Sequence, residues 1–292
     1  MEISSFIGAG LPVALFMVML GMGMTLSPGD FRRVVREPRA MVVGLGAQFA
    51  LLPLLAVAVS TVLELPPELA AGLLILSFCP SGTTSNLFSY LARADVALSV
   101  TLTAVASVVT PFSVPLLSQW VLEWKLGTGQ VVDFPVIRAM LQLMVVVLIP
   151  VAMGMLWKAY APRNCAQWQP GVHRLSVVLF TLVIVAMVAD IGEQLFHFMA
   201  LVGAACLAMV VLAMGLGWLA ARAGRLGLAQ TKTVSIEVGM QHGGMALVVT
   251  EGVLGNSTMS IVPVMYGLLM LIPILVLVIS ARFYERQRLF AG

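Results

Sequence analysis

The chain has 292 residues, of which 60% are hydrophobic and only 10% are charged, and its formal net charge is +3. Soluble domains average roughly 45–50% apolar and about 25% charged residues, so this composition excludes an ordinary soluble domain and indicates that hydrocarbon surrounds most of the chain. At about 20 residues per membrane-spanning helix, the length accommodates nine or ten spans and leaves no room for a soluble domain of useful size. A basic excess in such a chain indicates cytoplasmic loops and not nucleic-acid binding.

Apolar windows bounded by charge, proline or glycine predict nine membrane-spanning helices, and hence an all-α, polytopic fold. They cover residues 6–26, 39–61, 67–92, 96–119, 135–158, 172–192, 196–222, 228–254 and 258–281. With the N-terminus outside, fourteen of the sixteen Lys and Arg residues fall inside, and only Lys125 and Arg138 fall outside. Because cytoplasmic loops are rich in Lys and Arg, this asymmetry predicts a multi-pass protein of the inner (plasma) membrane with a cytoplasmic C-terminus.

The third and eighth predicted spans are interrupted by residues that weaken helices. The interruptions are CPSGTTSN at 79–86 and EVGMQHGG at 237–244. Proline removes a backbone donor and glycine lowers helix stability, so both stretches are expected to unwind and free backbone carbonyl groups. Within a bilayer, such groups are tolerated only where they are buried in protein or line a wet cavity.

The order of the spans predicts an inverted-topology repeat. Spans one to four and six to nine form two sets, the broken span is third in each, and span five makes the second set enter from the opposite side. No repeat is evident at the level of residues. The expected architecture is a single transmembrane transporter domain, 1–292, with two crossing discontinuous helices.

Glu237 is the one acidic residue that these spans place deep in the membrane. Burying a charge there costs roughly 2.5–3.5 kcal/mol, so the carboxylate needs a cation or a proton as a companion. A protonated Glu237 that hydrogen-bonds a neighbouring helix is the alternative to a cation ligand.

Oxygen-bearing side chains near the other break favour the cation. They are Thr83, Thr84, Ser85 and Asn86, with Ser99 and Thr103 on span four. Ser99 and Thr103 are four residues apart and therefore share a helix face. Hydroxyl, amide and carboxylate oxygens suit an alkali cation and not a thiophilic metal. Alternatively, each hydroxyl bonds its own helix or a neighbouring one.

Three further polar residues leave alternatives open. Gln48 and Gln241 either join helices or supply a second cation site with Glu237 shared. His242 is either a donor to a substrate carboxylate or a neutral histidine of the core.

Several stretches together resemble the bile acid:sodium symporter family, in particular bacterial homologues of the apical and hepatic bile acid transporters. The stretches are GMGMTL at 21–26, QF at 48–49, CPSGTTSN at 79–86, YLAR at 90–93, ALSV at 97–100 and IEVGMQ at 236–241. The resemblance implies a core domain, about 67–119 and 196–254, beside a panel domain, about 6–61, 135–192 and 258–284.

The resemblance also implies the site residues. One sodium site corresponds to Ser85, Asn86, Ser99, Thr103 and Glu237; the other corresponds to Gln48, Glu237, Gln241 and the carbonyls of Val238 and Met240; the substrate residues correspond to Thr83, Ser85 and His242. Ser81 departs from the usual Pro-Gly-Gly, and His242 stands where asparagine is common.

We therefore expect a sodium-coupled symporter that carries a small organic anion by alternating access, with two co-transported Na⁺ and no enzymatic activity. Expected substrates are carboxylate metabolites, such as pantoate or a 2-oxo acid, or a bile-acid-like steroid, and no obligate protein partner is evident. A proton-coupled carrier that titrates Glu237 is the main alternative. A passive channel or a sensor with a carrier fold is also open, whereas an intramembrane enzyme has only Glu237 with His242 as a candidate pair.

Overall fold

The computed structural model describes residues 2–127 and 134–290, and side chains over these ranges except 2–6, 190–191, 193–199 and 282–290. Every regular element in these ranges is helical. The side chains of Arg282, Arg286 and Arg288, which the charge asymmetry assigned to the inside, lie outside the described ones.

The helices of the first half of the chain follow one another with short connections. They are α1 (Glu2–Thr25), α2 (Pro28–Arg36), α3 (Pro38–Gly46), α4 (Leu52–Val62), α5 (Pro67–Ser77), α6 (Thr84–Leu91) and α7 (Val96–Leu126). A π-helical turn, Ala47–Leu51, joins α3 to α4. The capped surface helix α2 was not predicted; Ser27 and Asp30 form a capping box at its start, and its Arg33 pairs with Asp95 at 2.5 Å.

The second half has the same character. Its helices are α8 (Val136–Leu143), α9 (Ile149–Tyr160), α10 (Pro162–Ile191), α11 (Glu193–Ala223), α12 (Leu228–Gly239), α13 (Gly243–Leu247), α14 (Ser257–Leu269) and α15 (Leu271–Phe290). π-Helical turns, Met144–Leu148 and Val248–Val253, continue α8 into α9 and extend α13.

Seven helical segments within the described ranges are long and apolar enough to cross a membrane. They are Ile7–Thr25, Pro38–Val62, Val96–Leu126, Val136–Tyr160, Pro162–Ala189, Ala200–Ala223 and Ser257–Ala281. Each overlaps one unbroken predicted span, so the chain is a polytopic helical membrane protein. A total of nine spans requires that the two broken segments, α5 with α6 and α12 with α13, each cross the membrane once. The nine spans and the inverted repeat therefore stay predictions.

Both predicted interruptions occur, but each is shorter than expected. The first break separates α5 from α6, and α6 already begins at Thr84. The second separates α12 from α13, and α12 stays helical through Gly239. The hydroxyl of Tyr266 donates to the Gly239 carbonyl at 2.9 Å, which satisfies an acceptor at the helix end. The unwound stretches are therefore 78–83 and 240–242.

Two groups of helices pack closely among themselves, and the expected division into core and panel stays a prediction. Helix α1 packs on α9 and α10, and a Cβ on Gly23 would lie 2.2 Å from the Val151 carbonyl oxygen. Helices α4 and α14 pack instead on the broken helix α5, and a Cβ on Gly72 would lie 2.5 Å from the Met259 carbonyl oxygen. Because only glycine permits such backbone contacts, the two groups are held by close helix approach. Residues 39–61 and 258–281, which we expected in the panel, pack with the broken helices.

Candidate functional site

Glu237 lies on α12 with 1% of its surface exposed, and four hydroxyl groups surround its carboxylate. One carboxylate oxygen, Oε1, accepts from Ser85 at 2.5 Å and from Ser99. The other, Oε2, accepts from Thr103 at 2.8 Å and from Ser81. A carboxylate offers about four acceptor positions, so these four donors fill them.

A second row of contacts fixes the hydroxyl groups. Ser99 Oγ lies 2.8 Å from Asn86 Oδ1 and accepts from Ser89 at 3.2 Å. Ser81 Oγ lies 2.9 Å from Thr103 Oγ1. The structure thus brings together all five residues of the first predicted sodium site, with Asn86 joined through Ser99.

Two helices supply these side chains because of their local sequence. Ser99 and Thr103 are one turn apart on α7, so both hydroxyl groups point to the same neighbour. On α6, Ser85 and Ser89 are also four apart and are fully buried, whereas Thr84 is exposed and stays outside the cluster. The break before α6 is what allows Ser81 to reach the same carboxylate.

The second predicted site has a different character. Gln48 is 1% exposed in the first π-helical turn, which packs against α12, and neither its amide nitrogen nor its amide oxygen has a hydrogen-bond partner among the described residues. Gln241 is equally buried; its amide nitrogen donates to the Val238 carbonyl at 3.0 Å, and its amide oxygen has no partner in the same part of the chain. Met240, in extended conformation, ends α12. No hydrogen bond among the described residues joins Gln48 or Gln241 to Glu237.

His242 connects the two breaks. Its backbone N–H donates to the Pro80 carbonyl at 2.8 Å, and its Nδ1 accepts from the Met245 N–H at 3.2 Å at the start of α13. In the neutral imidazole, an Nδ1 that accepts leaves the proton on Nε2, which can donate to a ligand. The side chain is buried but for 8% of its surface, and Thr83, at the start of α6, is half-buried.

Sequence reasoning missed two features of this region. Ser81, noted only as a departure from a glycine, contacts Glu237 directly. The π-helical turn that holds Gln48 was also missed; such turns occur often at functional sites, but their extra residue per turn leaves no mark in hydrophobic periodicity.

Two broken helices that meet inside a membrane domain are typical of secondary transporters. The chain matches the family described as the sodium bile acid symporter family over residues 12–198. It therefore belongs to that family, which is a family of sodium-dependent transporters and not of enzymes.

Individual relatives agree. The chain is 30% identical over 246 residues to "Uncharacterized sodium-dependent transporter YocS" of Bacillus subtilis, covering 82% of this chain and 73% of that one. It is 33% identical over 245 residues to "Probable sodium/metabolite cotransporter BASS1, chloroplastic" of Arabidopsis thaliana, with 84% and 59% covered. It is 26% identical over 234 residues to "Hepatic sodium/bile acid cotransporter" of Rattus norvegicus, with 80% and 64% covered. The chain thus spans less than two thirds of the plant and rat relatives.

Proposed function

We propose that this protein is a sodium-coupled symporter of a small organic anion that works by alternating access in the inner (plasma) membrane, with its N-terminus outside. One observation carries the proposal: a carboxylate buried at the meeting point of two broken helices and surrounded by hydroxyl oxygens. Na⁺ is a hard cation that takes hydroxyl, amide and carboxylate oxygens.

The first cation is proposed to bind between Glu237 and the hydroxyl groups of Ser85, Ser99 and Thr103, with the Asn86 amide oxygen beside them. The same oxygens that now donate to the carboxylate would turn their lone pairs to the cation. Little backbone movement is needed, since the three hydroxyl groups already contact Glu237 and the Asn86 amide oxygen lies 2.8 Å from Ser99 Oγ.

The second cation is proposed to bind at Gln48 and Gln241 with the Val238 and Met240 carbonyls. The unpartnered amide oxygens of Gln48 and Gln241 support this, because an unsatisfied buried polar group costs about 1–3 kcal/mol and a cation would satisfy it. The four hydroxyl donors leave Glu237 no spare acceptor position, so sharing Glu237 between two ions requires that one hydroxyl be released.

For the substrate, we propose Thr83 and His242, with the Nε2 proton of His242 donating to a carboxylate. The Ser85 hydroxyl, expected in both roles, is fully buried and 2.5 Å from Glu237, so we now assign it to the cation alone. A small carboxylate metabolite is the proposed substrate class; the Arabidopsis relative is named a sodium/metabolite cotransporter.

Alternating access is proposed as a relative movement of two groups of helices, which are defined by their contacts. One comprises α1, α8, α9 and α10; the other comprises α3 to α7 and α11 to α14. Two Na⁺ with a monoanion move one net charge, which is about 2.3 kcal/mol per 100 mV. A tenfold sodium gradient adds about 1.4 kcal/mol per ion, for a total of roughly 5 kcal/mol.

Coupling to protons uses the same Glu237. The surroundings of Glu237 favour sodium, because four hydroxyl oxygens beside one carboxylate can serve as ligands of a hard cation, whereas a protonated carboxyl needs only one acceptor among them.

The proposal is tested by uptake into proteoliposomes of radiolabelled carboxylates, including pantoate, 2-oxo acids and a bile acid. We expect an inward Na⁺ gradient to drive concentrative, saturable uptake at constant pH, and K⁺ to give none. Uptake driven by a pH gradient without Na⁺ would replace the proposal with the proton-coupled carrier, and equilibration without concentration would indicate a channel.

A further inference from the structure

The side chain of Ser81 lies in the first break and is fully buried. Its hydroxyl donates to Glu237 Oε2 and lies 2.9 Å from Thr103 Oγ1. The other three hydroxyl groups on this carboxylate come from helices α6 and α7. Ser81 therefore brings an unwound segment directly to the charge.

The peptide that precedes Ser81 has a second contact. The Pro80 carbonyl accepts the backbone N–H of His242 at 2.8 Å. Two adjacent residues of the first break thus contact two places in the second broken helix: Ser81 contacts the carboxylate on α12, and Pro80 contacts His242, the residue that precedes α13.

We propose that Ser81 is a further oxygen ligand of the transported cation at Glu237, and that through it the cation fixes the position of the first break against His242. The inference rests on the proposed function, since it needs a cation at Glu237.

The distribution of donors explains why Ser81 should matter. Each carboxylate oxygen has two hydroxyl groups beside it: those of Ser85 and Ser99 on Oε1, and those of Ser81 and Thr103 on Oε2. Without Ser81, Oε2 keeps only the Thr103 hydroxyl beside it, and the cation loses one oxygen ligand on that side of the carboxylate. The number of oxygen ligands and the size of the cavity set which hard cation a site prefers. Removal of Ser81 should therefore change cation selectivity as well as affinity.

Ser77 provides a matched control. It is a buried serine four residues before Ser81, and its hydroxyl donates to the Leu74 carbonyl at 2.6 Å within α5. Ser77→Ala removes the same hydroxyl close to the first break but leaves every described contact of Glu237 and of its hydroxyl donors in place.

The test is a titration of the purified full-length protein with NaCl and, separately, LiCl, at constant ionic strength, with thermal stabilisation as the readout. In Ser81→Ala we expect the half-saturating Na⁺ concentration to rise about tenfold, the size of one lost hydrogen bond to a charged group. The ratio of Li⁺ to Na⁺ half-saturation should change with it. Ser81→Cys keeps the branching of the side chain but replaces the hard oxygen by a larger, soft sulfur, so it should give the same shifts if Ser81→Ala does not fold. Ser77→Ala should change neither quantity.

The two levels of the account fail separately. If the wild type responds to Na⁺ and both Ser81 variants match it in half-saturation and in the Li⁺ to Na⁺ ratio, the role of Ser81 is overturned and the proposed function stands. If the wild type itself shows no response to Na⁺, both are overturned. An equal shift in Ser77→Ala would also overturn the ligand role, because it would reduce the effect to general loosening of the protein near the first break.

Discussion

The two candidate cation sites adjoin the same helix, α12, yet they differ in how their polar groups are satisfied. Around Glu237, every carboxylate acceptor position has a hydroxyl donor. At Gln48 and Gln241, three buried amide atoms have no hydrogen-bond partner among the described residues. The first cluster is therefore complete as a hydrogen-bond network, whereas the second is complete only when something else binds.

This difference separates stability from function. A satisfied buried network stabilises the fold, and its removal leaves a charge or donor unpaired. An unsatisfied buried polar group lowers the stability of the fold, so its presence indicates a functional role such as ligand binding. Substitutions in the two clusters should therefore have opposite effects on stability without sodium but the same effect on the sodium response.

The largest effect is expected for Glu237→Gln, which keeps the shape of the side chain but removes the charge. We expect the sodium-dependent rise in melting temperature to disappear completely, since both proposed ions use this carboxylate. The measurement is thermal unfolding of purified protein in NaCl and in KCl, with far-UV circular dichroism as a control for folding. A variant that still responds to Na⁺ like the wild type would contradict both cation sites.

Ser99→Ala should destabilise the protein in sodium-free buffer. It removes a donor to a buried carboxylate, at a cost of about 1.5–3 kcal/mol, and leaves Asn86 Oδ1 without the Ser99 hydroxyl. Unfolding midpoints in KCl measure the loss, and Ser89→Ala, which leaves Glu237 untouched, should lose less. Equal losses in the two variants would show that the contact with Glu237 contributes nothing.

His242→Ala tests a residue that lies between the sites and contacts neither Glu237 nor Gln48 through its described hydrogen bonds. We expect the half-saturating concentration of the transported carboxylate to rise about tenfold, as for loss of one hydrogen bond to a charged group. The half-saturating Na⁺ concentration should change less. Both are measured by uptake in proteoliposomes, and the reverse ranking would remove His242 from the substrate site.

The smallest effect, with the opposite sign, is expected for Gln48→Leu. Replacing an unpartnered buried amide by an apolar side chain of similar size should stabilise the sodium-free protein by about 1 kcal/mol. Its sodium titration should keep only the component that belongs to the other ion. Gln119→Leu is the control, because Gln119 is exposed and bonded to Glu123 at 2.9 Å, so its loss should not stabilise. A destabilised Gln48→Leu would mean that the amide is satisfied.

Much of the fold was predictable because membrane-spanning helices follow from local composition. Seven unbroken spans overlap helical segments of the structure, and the two breaks follow from Pro80 and from the glycines near 239–244. The grouping of helices was not predictable in the same way. It depends on which helix faces approach one another closely, as at Gly23 and Gly72. The sequence does not indicate which helix each of these glycines contacts.

The sequence predicted the kinds of side chain that surround Glu237 but not all of the residues that supply them. Glu237, Ser85, Ser99 and Thr103 could be found because a buried charge needs oxygen partners and a helix face repeats every four residues. Ser81 follows no such periodicity, since it lies in an unwound segment where only the three-dimensional path of the backbone decides which way a side chain points. The π-helical turn at Gln48 was also missed, because it depends on the path of the backbone and not on the spacing of residue types.

The central claim is that a sodium ion, and not a proton, accompanies Glu237. Equilibrium binding of radioactive sodium to the purified protein at constant pH tests it most directly. We predict saturable binding of two ions per chain in the wild type and none in Glu237→Gln, with Ser77→Ala unchanged. Absence of saturable binding in the wild type, or undiminished binding in Glu237→Gln, would contradict the account.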